Sequence, residues 1–121
     1  MPKLFTYGTL KKGHYNHNRF ADTLGTEIEA EDKVLGFALV QDNDFYPTAI
    51  QKENYEVIGE VWDVTDPVLW KTLERMEIGA GYEMQTVTTE KGHKATIFYS
   101  NRFTPEQLKT LETFSYFPLR G

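Results

Sequence analysis

The chain contains no cysteine among its 121 residues. Disulfide bonds, thiolate nucleophiles and cysteine-ligated zinc sites are therefore excluded. Positive charge is also scarce, because 13 Lys and Arg residues stand against 18 Asp and Glu residues and leave a net charge of −5. Since binding to nucleic acids or to anionic membranes usually depends on a basic patch, we expect neither kind of partner.

Long apolar runs are missing as well. No stretch approaches the roughly 20 apolar residues of a membrane-spanning helix, and the first residues do not resemble a secretory leader. We therefore expect a soluble, cytoplasmic protein. The sequence contains no internal repeat and no low-complexity linker, so we expect residues 1–121 to form a single domain.

Strand-forming patterns dominate what is present. Apolar positions that alternate or run together between turn-forming residues predict strands at 4–7, 34–40, 55–64, 82–89 and 93–99, with weaker candidates at 26–31 and 45–50. Gly36 interrupts an otherwise dense apolar run, so we expect it to mark a bulge or a close approach of another backbone.

Two segments carry the signals of a helix. Asp66 is a suitable cap for a helix that begins at Pro67 and runs to about residue 77, with Gly79 placed to end it. A Thr-Pro-x-Gln capping box at residues 104–107 starts a second helix. This mixture predicts an α+β fold: a small mixed, barrel-like sheet with two or three short helices.

Glu77 occupies an unusual place on the first of these helices. At about 100° per residue it falls between Leu73 and Trp70, inside the apolar stripe, and it lies in the last turn, where the macrodipole disfavours an anion. Burial and a helix C-terminus both raise the pKa of a carboxylate, which makes it a competent general base near neutral pH. The alternative is that the helix frays at Met76 and leaves Glu77 in water.

Other polar residues give weaker signals. His14 and His17 form an H-x-x-H pair without a third ligand, so a solvated loop is a simpler interpretation than a metal site. Glu74 is interpreted as a solvated residue on the flank of the first helix. No G-x-S-x-G motif is present, which excludes a hydrolase nucleophile elbow.

Five segments follow one another in a recognisable order: FTYGTL at 5–10, YP at 46–47, VIGEVWDV at 57–64, LERMEIGAGYE at 73–83 and ATIFY at 95–99. Together they resemble the gamma-glutamylcyclotransferase-like family, in its small gamma-glutamylamine cyclotransferase type. The tetrapeptide YGTL alone recurs by chance, whereas YGTL, GEVWDV and an L-x-x-x-E stretch in this order are fairly specific. The resemblance covers nearly the whole chain.

This resemblance implies a small mixed α+β barrel, in agreement with the predicted elements. It also implies a lyase-type cyclotransferase reaction on a small-molecule gamma-glutamyl amide, which releases the amine and closes the glutamyl unit to 5-oxoproline without a metal or other cofactor. By its position in the L-x-x-x-E stretch, Glu77 is the implied acid/base residue. The implied substrate-binding residues are Tyr7, Gly8, Thr9, Leu10 and Tyr82.

Two positions depart from the family pattern. Ile78 follows the glutamate where glycine is frequent, and Met84 stands two residues after Tyr82 where arginine is common. These departures leave open a second interpretation, a non-catalytic binding module that retains the pocket for a glutamyl group or 5-oxoproline. A third interpretation is an interaction protein that uses the aromatic residues at 114–117 as a contact surface, against the simpler expectation that they pack on the domain.

Overall fold

The computed structural model describes residues 2–7, 25–41 and 47–116. This part of the chain forms six strands and two helices. In chain order they are β1 (Lys3–Thr6), β2 (Thr26–Val40), β3 (Thr48–Asp63), α1 (Pro67–Gly79), β4 (Glu83–Thr88), β5 (Lys94–Tyr99), α2 (Pro105–Thr110) and β6 (Thr113–Phe114). Neither helix in these ranges is long and apolar enough to cross a membrane.

The strands form one mixed sheet in the order β4-β5-β1-β3-β2-β6. The pairing of β1 with β5 is parallel, and the other pairings are antiparallel. The sheet curls into a half-barrel, so that strands distant in this order meet. The N–H of Glu90, in the turn between β4 and β5, donates to the carbonyl of Lys33 on β2 at 2.9 Å. The predicted α+β fold with a barrel-like mixed sheet is confirmed.

Strands β2 and β3 are longer than predicted. The sequence predicted two short strands in each region, whereas each region forms one continuous strand of 15 or 16 residues. The strands continue through the predicted interruptions by local irregularities. On β2 the pairing register shifts between Leu35 and Phe37, across Gly36, which has a positive φ of 85°. On β3, Asn54 has a φ of 68°. The bulge predicted at Gly36 is therefore confirmed.

The curled sheet has an apolar cluster on each of its surfaces. The cluster on one surface contains, among others, Phe5, Phe37, Val61, Ile97 and Tyr99. On the other surface, α1 packs on Leu4, Trp62 and Phe98. The residues Phe103, Leu108 and Leu111, in and around α2, pack on a third cluster formed by Ala38, Val40 and Ile50.

Gly59, the glycine of the GEVWDV segment, lets β1 approach β3 closely. A Cβ atom at this position would overlap the carbonyl oxygen of Thr6 and the ring of Phe5. A larger residue would therefore push β1 away from β3. Gly59 therefore helps to fix the position of β1, and with it the position of Tyr7, which directly follows this strand.

Both predicted helix starts are confirmed. The Asp66 carboxylate accepts the N–H of Val68, and Thr104 and Gln107 form the reciprocal capping box. The helix ends at Gly79, as predicted, but the left-handed turn that follows it lies at Gly81, with a φ of 92°, and not at Gly79. The second helix stops at Thr110, and Phe114 belongs to β6.

Candidate functional site

Glu77 lies inside α1, two residues before its end, and not in a frayed terminus. Its side chain is largely buried, and this burial raises its pKa to about 7. The last turn of α1 contains no basic residue that would stabilise the ionised form. The predicted burial of Glu77 on the apolar side of the helix is thus confirmed, together with the raised pKa expected from it.

The end of α1 ties Tyr82 to Glu77. The N–H of Gly81 donates to the carbonyl of Ile78, and the N–H of Tyr82 donates to the carbonyl of Glu77, both at 3.0 Å. These two bonds form a Schellman motif, which requires the positive φ found at Gly81. The motif ends the helix and holds the backbone of Tyr82 against the last turn of α1, which contains Glu77.

The phenol of Tyr82 is fixed at its far end by Thr48. Its hydroxyl lies 2.9 Å from the Oγ1 atom of Thr48, the first residue of β3. Thr48 is fully buried, whereas Tyr82 is half-buried and packs against the cluster beneath α1. Tyr82 is therefore held by its backbone to α1 and by its hydroxyl to the sheet.

Tyr7, the first residue of YGTL, follows β1 and points into the same region. Its hydroxyl donates to the carbonyl of Phe98 at 2.7 Å. Burial raises the pKa of Tyr7 well above its usual range, and the nearby Tyr82 and Glu77 raise it further, while the backbone N–H of Ala49 partly offsets the rise. Tyr7 is thus a neutral phenol whose electrostatic surroundings include both Glu77 and Tyr82.

The structure therefore brings together three of the six predicted site residues: Glu77, Tyr7 and Tyr82. The other three, Gly8, Thr9 and Leu10, lie outside the described residues, as do His14, His17 and Tyr46. The two departures from the family pattern face outward, because Ile78 is 54% exposed and Met84 is 37% exposed.

Sequence reasoning missed Thr48. The residue sits in a short apolar run, where its β-branched side chain is an ordinary strand former, and no motif marks its hydroxyl. Its partner Tyr82 is 34 positions away, so only the fold brings the pair together. Within residues 2–7, 25–41 and 47–116, no three His, Asp or Glu side chains are grouped closely enough to hold a metal ion.

The fold is similar to that of solved structures. An AIG2-like protein from Mus musculus superposes with a TM-score of 0.81 at 21% identity, covering 100% of this chain and 90% of the mouse chain. A protein from Pyrococcus horikoshii superposes with a TM-score of 0.69 at 26% identity, covering 85% of this chain and 80% of the other. At 21% identity, the mouse structure bears on the fold alone.

A curated relative is similar in sequence. Gamma-L-glutamyl-butirosin B gamma-glutamyl cyclotransferase from Niallia circulans is 34% identical over 77 residues, which cover 64% of this chain. The matched stretch is 46% of that enzyme, or about half of its length. A model of the family described as gamma-glutamyl cyclotransferase, AIG2-like, matches residues 4–116, and the chain belongs to that family.

Proposed function

We propose that the protein is a gamma-glutamyl cyclotransferase that cleaves a gamma-glutamyl amide, with Glu77 as its general acid/base. The observation that carries this proposal is the state of Glu77, a largely buried carboxylate whose pKa is raised to about 7 by that burial. A base with this pKa is partly ionised at neutral pH and binds and releases a proton readily. Membership of the gamma-glutamyl cyclotransferase, AIG2-like family supports the reaction type.

The proton balance of this reaction suits a single carboxylate. The alpha-ammonium of the glutamyl group gives a proton to Glu77, and the free amine attacks the gamma-carbonyl carbon to close the five-membered ring. The bond from that carbon to the amide nitrogen then breaks while Glu77 returns the proton to the departing nitrogen. A second proton passes from the ring nitrogen to the released amine, so Glu77 ends in its starting state.

No separate nucleophile is required, which agrees with a chain without cysteine. The attacking amine is tethered to the carbonyl that it attacks, so its effective concentration is high. The remaining requirement is a set of donors for the oxyanion or for the substrate carboxylate. We assign this role to the backbone N–H groups of Gly8, Thr9 and Leu10, since amides after a glycine bend bind anions without losing side-chain entropy.

Tyr7 and Tyr82 have different roles in this proposal from that of Glu77. Because the pKa of Tyr7 is raised far above neutrality and its hydroxyl donates to Phe98, it stays protonated and is not a base. The hydrogen bond to Phe98 keeps Tyr7, the first residue of YGTL, in the surroundings of Glu77. Tyr82, whose backbone N–H donates to the carbonyl of Glu77, is assigned the role of lining the substrate site.

The test is release of 5-oxoproline from a panel of gamma-glutamyl amides that differ in the leaving amine. The panel includes amides of simple alkylamines, of amino acids through their side-chain amines, and of butirosin B, because the relative from Niallia circulans is named for the gamma-L-glutamyl conjugate of that compound. We expect 5-oxoproline and free amine to appear in equal amounts, in the presence or absence of a chelator.

The matched control uses two glutamates of the same helix. Replacing the acid/base residue in Glu77→Gln is expected to lower kcat by about 10² to 10⁴, whereas Glu74→Gln is expected to leave it unchanged. Turnover that survives Glu77→Gln would refute the role of Glu77. Calorimetric binding of 5-oxoproline by a wild-type protein that turns over none of the amides would establish the alternative, a binding module.

A further inference from the structure

The strongest unexplained feature of the site is the fully buried hydroxyl of Thr48. A buried hydroxyl needs a hydrogen-bond partner, and that of Thr48 meets the hydroxyl of Tyr82 at 2.9 Å. The contact is not needed to bring β3 and the β4–β5 hairpin together, because the N–H of Ser100 already donates to the carbonyl of Ala49 at 2.8 Å. Its consequence is local: it fixes the end of the Tyr82 ring.

Tyr82 is the link between Thr48 and the proposed acid/base residue. The Schellman motif holds the backbone of Tyr82 to the carbonyl of Glu77, and its half-buried ring packs against the cluster beneath α1. The bond to Thr48 adds a directed attachment of the Tyr82 hydroxyl to the sheet. Since Tyr82 also acts electrostatically on Tyr7, its position affects the whole group around Glu77.

Resting on the proposed function, we propose that Thr48 is a positioning residue for the cyclisation: its hydroxyl holds the phenol of Tyr82 beside Glu77 and thereby sets the rate of proton transfer without binding the substrate. A site residue held to within a fraction of an ångström gains rate from that precision. The role therefore predicts an effect on kcat rather than on KM.

The variants separate the hydroxyl from the shape of the side chain. Thr48→Val removes the hydroxyl and keeps the β-branched volume that suits a buried strand, whereas Thr48→Ser keeps the hydroxyl. We expect Thr48→Val to lower kcat about tenfold and to change KM by less than about twofold, with Thr48→Ser close to wild type. Tyr82→Phe removes the same bond from the other side and serves if Thr48→Val does not fold.

Two further readouts distinguish positioning from a merely structural role. If both hydroxyls act through one bond, the Thr48→Val/Tyr82→Phe double variant is no slower than the slower single variant. A released Tyr82 ring also admits water beside Glu77, so the acid limb of the pH–rate profile moves to lower pH in Thr48→Val and stays in place in Thr48→Ser. A variant that is only less stable loses active protein without moving this limb.

The outcomes keep this inference apart from the proposed function. A wild type without turnover on any gamma-glutamyl amide overturns the proposed function and this inference with it. An active wild type with an equally active Thr48→Val, or with strictly multiplicative losses in the double variant, overturns the positioning role alone. A tenfold loss that Thr48→Ser restores, with a shifted acid limb, supports it.

Discussion

Two glutamates of this protein lie in opposite electrostatic surroundings. Glu77, at the end of α1, is largely buried, and its pKa is raised to about 7 by that burial. Glu29, on β2, accepts hydrogen bonds from His93 at 3.0 Å and Lys91 at 3.2 Å, and its side chain is 27% exposed. Hydrogen bonds from His93 and then from Lys91 hold the pKa of Glu29 below its usual range.

The opposite pKa shifts of Glu77 and Glu29 suit the two carboxylates to different roles. A glutamate held ionised by basic partners is a fixed anion, which suits a structural contact and not proton transfer. The Glu29 contacts join β2 to the β4–β5 turn, alongside the nearby Asp32 carboxylate, which accepts the N–H of Lys91 at 3.1 Å. Glu29 thus helps to close the half-barrel, whereas burial has left Glu77 able to change its charge near neutral pH.

The largest expected difference between the two glutamates is in catalysis. Shortening the side chain in Glu77→Asp keeps the carboxylate but moves it by about one bond length, which is expected to lower kcat by about 10² because proton transfer depends on distance. The matched Glu29→Asp is expected to change kcat by less than about twofold. Steady-state release of 5-oxoproline by both variants measures these changes in kcat. Equal losses of kcat in the two variants would contradict the distinct role of Glu77.

The next effect concerns stability and has a defined sign. Since the pKa of Glu77 is higher in the folded protein than in the unfolded chain, ionisation destabilises the fold as pH rises from about 4.5 to about 7. Glu77→Gln removes this penalty, so it is expected to be more stable than wild type at pH 8, by up to about 3 kcal/mol, and no more stable at pH 4.

Denaturant unfolding of wild type and Glu77→Gln at the two pH values measures this change in the free energy of unfolding. The difference must be absent at pH 4 and present at pH 8. A stability difference that is the same at pH 4 and pH 8 would show that Glu77 is not the buried, high-pKa group described above.

A smaller effect of the opposite sign is expected at Glu29. Its lowered pKa means that its contribution to stability is present at neutral pH and is lost as the pH falls through that lowered value. Glu29→Gln is therefore expected to lower Tm at pH 7 but to match wild type in strong acid. Thermal unfolding followed by circular dichroism at both pH values tests this, and a Glu29→Gln protein with a higher Tm at pH 7 would contradict the structural role.

The smallest expected effect is the dependence on salt. The exposed pair of Glu29 and Lys91 is screened by ions, so the Tm difference caused by Glu29→Gln is expected to shrink in about 1 M salt. The stability difference caused by Glu77→Gln at pH 8 arises from burial and is expected to persist. A salt series of thermal unfolding curves compares the two variants, and equal screening of both effects would remove the distinction.

The features predicted from the sequence are those encoded by neighbouring residues. The apolar stripe of α1, its Asp66 cap and the position of Glu77 within that stripe all depend on spacing within a few turns, and the structure agrees with each. The left-handed residue after α1 was not predicted, because Gly79 and Gly81 are both suitable for it and the choice of Gly81 depends on where the chain must continue as β4.

The features not predicted depend on contacts between distant residues. Thr48 meets Tyr82 across 34 positions, and Glu29 meets His93 across 64. The continuity of β2 and β3 likewise depends on their mutual pairing, which tolerates irregular residues such as Asn54 that interrupt a local pattern. No local signal separates such a threonine or glutamate from others of the same type.

The pH dependence of kcat/KM tests the central claim most directly, because its acid limb reports the pKa of the essential base in the free enzyme. With Glu77 as that base, wild type is predicted to lose activity below an apparent pKa of about 7, and Glu29→Gln to keep the same limb. An acid limb near an ordinary glutamate value of about 4.3, or a profile without an acid limb, would contradict the account.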